Sequence, residues 1–100
     1  MSCANPERGE ALLIVDGRPI TLRPTFQALV AAEGELGSLY SLVDRAAEGK
    51  LTLQEIAGLF HHMAVGEVDR EAVGEAIVAQ GLAQTTPMLR TILSQVLKGQ

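Results

Sequence analysis

Asp16-Gly17 stands between Ala11-Leu12-Leu13-Ile14-Val15 and Arg18-Pro19-Ile20-Thr21-Leu22-Arg23. A type I′ turn needs positive φ at both central positions, which Asp tolerates and Gly adopts freely, so the segment reads as a β-hairpin with this dipeptide at its tip. The turn sets the register, with Val15 opposite Arg18, Leu13 opposite Ile20 and Ala11 opposite Leu22. Leu13, Val15, Ile20 and Leu22 then share one apolar face that must cover a core. Leu12 and Ile14 point to the other face, so strand one is apolar on both sides and needs a helix or a partner over its second side. Pro19 opposes Ile14 at a non-hydrogen-bonded position and blunts the outer edge of strand two. Strand one's edge stays open, and two copies pairing there about a two-fold axis would bury Leu12 and Ile14, which makes a homo-oligomer one expectation.

Helix signals fill the rest of the chain. Thr25 is an N-cap for a helix to about Leu36, and Ser38 caps a second to about Glu48, ended by Gly49. Thr52-Leu53-Gln54-Glu55 is a capping box opening a third helix to about Met63. Asp69 starts a fourth, to about Gln80, and Thr86-Pro87 opens the last, with Pro87 at the first helical position and Gly99 closing it. The aromatic residues are Phe26, Tyr40 and Phe60, with no Trp, so the core must be built from Leu, Ile, Val and Ala. The predicted fold is α+β, a two-stranded β-hairpin followed by a small bundle of four or five short α-helices. A chain of 100 residues has interior for one core, so it is read as a single domain. Residues 1–9 form a loose arm, 10–23 the hairpin and 25–98 the helical part.

Charge and motifs exclude several function classes. Twelve acidic residues against eight basic ones give a net charge of −4, and the basic residues are scattered. Phosphate backbones need a concentrated Lys/Arg patch, so no nucleic-acid partner is expected. Apolar runs such as Ala11–Val15 and Ala28–Ala32 are far short of the roughly 20 residues that cross a bilayer, so no membrane association is expected. Met1 to Arg8 has no apolar signal core and Cys3 is the only cysteine, which fits a reducing cytoplasm. His61-His62 are adjacent and point about 100° apart on a helix, whereas chelation needs them three or four residues apart. Both fall outside the apolar arc of Leu53, Ile56, Leu59, Phe60 and Met63, and so read as solvated. With no phosphate-binding, nucleophile-elbow or metalloprotease motif, no enzyme, cofactor or metal is expected.

Two positions carry more information. Glu33 lies within the arc of Phe26, Leu29, Val30 and Leu36 and is expected to be buried, accepting hydrogen bonds from backbone N–H groups between Gly37 and Tyr40. In the last helix Met88, Leu89, Ile92, Leu93, Val96 and Leu97 cover about half the circumference. Either this helix touches two neighbours within the chain, or one margin of the stripe is offered to another protein. Met88, Ile92, Leu93 and Leu97 are the candidates for partner contact, roughly half of them being core, and the Leu12 and Ile14 face is the alternative.

The order of these elements resembles a known family. Asn5-Pro6-x-Arg8-Gly9-Glu10, the hairpin ending Thr21-Leu22-Arg23, and Leu29-x-x-x-Glu33-x-x-Leu36-Gly37-Ser38 are similar to the tail assembly chaperones of gene transfer agents and tailed phages. The likeness covers nearly the whole chain, with Leu51 to Met63 matching a following helix. The resemblance implies a non-enzymatic helper that binds the tape-measure protein during tail building, with the tail tube protein a second partner, in the bacterial cytoplasm. The competing reading is a tail or tail-tube-associated component retained in the particle.

Overall fold

The hairpin forms where the turn places it. In the computed structural model, which describes residues 11–98, β1 (Ala11–Val15) pairs antiparallel with β2 (Arg18–Leu22). The register is the expected one, and Asp16 (φ 51°) and Gly17 (φ 75°) both take positive φ. Leu13, Val15 and Leu22 are fully buried and Ile20 is half-buried. The outer edge of β2 is occupied further along than Pro19: the Val65 N–H donates to the Thr21 carbonyl at 2.8 Å and the Arg23 N–H to the Met63 carbonyl at 2.7 Å. An isolated bridge between Leu22 and Ala64 lies between these bonds. The arm at residues 1–9, the first hairpin residue Glu10 and the closing Gly99 lie outside the described residues.

Five helices follow: α1 (Phe26–Leu36), α2 (Leu39–Ala47), α3 (Leu53–Met63), α4 (Arg70–Gln80) and α5 (Leu82–Lys98). Their starts use local chemistry. Thr25 Oγ1 accepts from the Ala28 N–H at 3.1 Å, and Ser38 Oγ from the Tyr40 N–H at 3.2 Å. At α3 the capping box is complete, with the Glu55 N–H bonded to Thr52 Oγ1 at 3.1 Å and the Thr52 N–H to Glu55 Oε1 at 2.9 Å. The helix breaks between α1 and α2 and between α4 and α5 use Gly37 (φ 101°) and Gly81 (φ 92°), in conformations that side chains resist.

The last helix begins a turn earlier than expected. The Gln84 and Thr85 N–H groups both donate to the Gly81 carbonyl at 3.1 Å, so α5 nucleates directly from the connecting glycine and Pro87 lies inside it. The proline lacks the N–H that would bond the Ala83 carbonyl. Ala83 is exposed, so water can serve that carbonyl and the helix continues.

The core is centred on α3, which buries Ile56, Ala57, Gly58, Leu59, Phe60 and Met63. It packs against α1, α4 and β2, while α5 packs on α2 and α4, and α4 on β1. Phe60 is the one core aromatic among the described residues. α1 is turned from the expected arc: it buries Ala28 and Ala32, whereas Phe26 is 83% exposed and Val30 half-exposed. The reason is close approach to α3. Leu36 packs over Gly58, where an added Cβ would lie 3.4 Å from a Leu36 methyl, so the α1 face that carries Ala28 and Ala32 turns inward with it. This rotation brings Glu33 to the surface, correcting its expected burial. Its Oε2 still accepts from the Leu39 N–H, at 3.0 Å, and so serves the start of α2 as an exposed cap.

The histidines are also corrected: both are half-buried and bonded. His61 Nε2 lies 3.0 Å from the Val68 carbonyl, and His62 Nε2 lies 2.7 Å from Glu35 Oε1. Neighbouring segments close over the last turn of α3 at both positions, which the helical wheel of α3 alone does not reveal. Glu35 is gripped by the Arg70 guanidinium as well, through Nη2 to Oε1 at 2.7 Å and a second contact from Nη1 to Oε2. The cluster joins α1, α3 and α4. Arg45 of α2 bonds Glu55 of α3 at 2.6 Å.

This packing has consequences for stability at two positions. Gly34 sits in the last turn of α1, where an added methyl group would meet nothing within 4 Å, so Gly34→Ala should raise stability by up to about 0.5 kcal/mol in urea unfolding; a lower midpoint would contradict the open site. Hydrogen bonds from Arg70 and then His62 hold the Glu35 pKa down from 4.5 to about 2. A depressed carboxyl stabilises the fold above its ordinary value, and the contribution is lost as pH falls from about 4.5 towards about 2. Glu55 is lowered too, by the Thr52 backbone N–H first and Arg45 second, and acts in the same sense. Glu35→Gln should therefore lower stability near neutral pH and flatten its decline across that acid window. Urea midpoints falling in parallel for variant and parent would exclude the cluster as a source of acid sensitivity.

Candidate functional site

The expected partner residues separate into core and surface. Ile92 and Leu93 are 0% and 1% exposed, so these two of the four α5 candidates are core and unavailable to a partner. The wide apolar arc of α5 is explained within the chain, because the helix lies against both α2 and α4. Met88 is half-buried against the core, and Leu97 is 51% exposed. Leu97 borders a shallow cavity of about 260 Å³ between α2 and α5, beside Val43, Ala47 and Ser94. Arg90, on the polar side of α5, donates from Nε to the Ala46 carbonyl at 3.1 Å and caps the last turn of α2.

Leu12 and Ile14 are 40% and 49% exposed, as their outward register requires. The edge of β1 is partly engaged: Gln80 Nε2 donates to the Ile14 carbonyl at 3.3 Å. A second copy pairing along that edge would have to displace this side chain.

A further apolar surface lies between α3 and α4. A groove of about 600 Å³ has Leu53 and Ala57 on one wall and Gly74, Val78 and Ala79 on the other. Small residues let these helices approach closely, a Cβ at Gly74 being only 3.8 Å from Ala57 Cβ. Leu53, expected in the buried arc of α3, is 43% exposed, and Val78 is 60% exposed. Gln54, Glu71 and Glu75 stand at the margin, and Arg70 closes one end with its guanidinium committed to Glu35. The sequence carries a trace of this groove: Glu71, Gly74, Glu75 and Val78 recur at i, i+3, i+4 and i+7, a valine on an otherwise polar and small-residue helix face. What the α4 sequence alone cannot show is that Leu53 and Ala57 of α3 stand across from that face.

Chemically, the groove offers methyl and methylene surface with carboxylates at its margin, and such a surface binds by excluding water. Among the described residues no group of three or more His, Cys, Asp or Glu is placed to hold a metal ion. No helix of the described residues is long and apolar enough to cross a membrane.

Neither the curated proteins nor the solved structures contain a match to this chain. A family model does match, over residues 8–99, and its description is phage tail tube protein, GTA-gp10. That agrees with the gene transfer agent and tail family read from the hairpin and the Leu29 to Ser38 pattern, although the description names a tail tube protein and makes no mention of an assembly chaperone. With the match extending over almost the entire sequence, the chain belongs to this gene transfer agent and phage tail family.

Proposed function

We propose that this protein is a tail-tube-associated component of a phage-like particle, acting by non-covalent contact with other tail proteins and catalysing no reaction. The observation that carries this reading is the match of residues 8–99 to a family described as a tail tube protein. The exposed apolar groove between α3 and α4 supplies a surface suited to such contact. The chain is made in the cytoplasm of the bacterial host and joins the tail there.

A second reading, a transient chaperone of the tape-measure protein, is favoured by one feature of the fold. A protein that built a tube wall by joining sheets edge to edge would need free strand edges, yet this sheet has two strands and the Thr21 carbonyl on β2's outer edge is already bonded to Val65. Quantitative mass spectrometry of purified particles distinguishes the readings. The chain is expected at a fixed ratio to the tail tube protein. Its absence from finished particles, together with co-purification with the tape-measure protein from cells, would replace the first reading by the second. Normal tails from cells lacking the gene would contradict both.

A further inference from the structure

We propose that the α3/α4 groove is a docking site for an amphipathic helix with basic flanks, contributed by a partner protein of the tail. The origin of the partner rests on the tail reading above; the chemistry of the occupant is argued from the groove itself.

A helix fits where an extended segment does not. The walls are two α-helices whose backbone N–H and C=O groups are used internally along their length, so an incoming strand would find no ladder to complete. A helix arrives with its own backbone satisfied and needs only apolar contact. The α4 wall runs from Arg70 to Ala79, about 14 Å at 1.5 Å per residue, which accepts two to three turns and therefore anchors at i, i+3 or i+4, and i+7. Because Ala57, Gly74 and Ala79 contribute little bulk, the groove leaves room for Leu- or Ile-sized anchors between Leu53 and Val78.

Charge selects the flanks. Glu71 and Glu75 lie one turn apart at the margin, and among the described residues neither has an ion-pair partner. Arg70 does not offset them, since Glu35 holds its guanidinium. A basic segment would pair with this margin, while an acidic one would be repelled. The same argument disfavours a second copy seated groove to groove, because a two-fold contact would bring Glu71 and Glu75 against their own counterparts.

The test uses the full chain and two labelled helical peptides of roughly four turns. Both carry Leu at i, i+3, i+4 and i+7; one has Lys flanks and the other Glu flanks. Fluorescence anisotropy reads binding, and circular dichroism confirms the fold of each variant. The Lys peptide is expected to bind at least about tenfold more tightly than the Glu peptide, with the preference shrinking in high salt. Val78→Asp should weaken the Lys peptide at least about tenfold by placing a charge in the apolar contact. The double variant Glu71→Lys/Glu75→Lys should reverse the preference, while Glu48→Lys, a charge reversal outside the groove, should not. If Val78→Asp loses helicity, the double variant on the exposed margin carries the test alone. Equal binding of both peptides, no binding of either, or unaltered binding by a folded Val78→Asp would overturn the proposal. So would a dimer in sedimentation that Val78→Asp abolishes, since the groove would then belong to a second copy. Failure here with the chain still present in particles leaves the tail reading intact; groove binding by a chain that particles lack would do the reverse.

Discussion

The burial of α3 from several sides at once is the constraint on which the other elements depend. A helix enclosed in this way must have its ends satisfied and its neighbours held close. Glu55 does both at the N-terminus, one carboxylate oxygen closing the capping box with Thr52 and the other receiving Arg45 from α2. At the opposite end His61 and His62 are bonded to the Val68 carbonyl and to Glu35. Between these ends Ala57 and Gly58 give little bulk, so α4 and α1 can lie near the axis, and Leu59 and Phe60 fill the interior. Close packing of aliphatic side chains thus substitutes for the aromatic mass that this chain lacks.

The surface is a consequence of that arrangement. Because α3 is covered by α1, α4 and β2, and α5 packs on α2 and α4, Leu89, Ile92 and Leu93 of the α5 stripe are spent within the fold and Leu97 stays half-exposed. α4 is the thinner cover. It buries Val73, Ala76 and Ile77 but leaves Val78 outside, facing the exposed Leu53 at the start of α3. The groove between these two helices, with Leu53 and Val78 exposed and Ala57, Gly74 and Ala79 adding little bulk, is apolar surface of the kind a partner covers.

Features set by neighbouring residues were legible in the sequence, and features set by distant ones were not. Asp16-Gly17 dictates the hairpin register because a two-residue turn leaves no freedom. Thr25, Ser38 and Thr52 mark helix starts because each oxygen bonds an N–H two or three residues on. The rotation of α1 is not legible: its wheel favours Phe26 and Val30, but α1 meets α3 through Leu36 over Gly58 and buries Ala28 and Ala32. The start of α5 was misplaced because Pro87 looks like a first helical residue, while the Gly81 carbonyl nucleates the helix earlier. The wheel of α3 leaves both histidines solvated because it cannot show Glu35, 27 residues from His62 in the chain. The groove escaped for the same reason, since Leu53 and Val78 are apolar positions on different helices that become one site only when α3 and α4 pack.

Ile92 of α5 is sealed in the core, whereas Val78 on the α3/α4 face is open to solvent. Thiol labelling of the folded protein tests it most directly. In a Cys3→Ser background, cysteine placed at Val78 should react with maleimide at nearly the rate of an unfolded control, whereas cysteine at Ile92 should react orders of magnitude more slowly, through local opening alone. Rapid labelling at Ile92 with protection at Val78 would contradict the account and return the binding surface to α5.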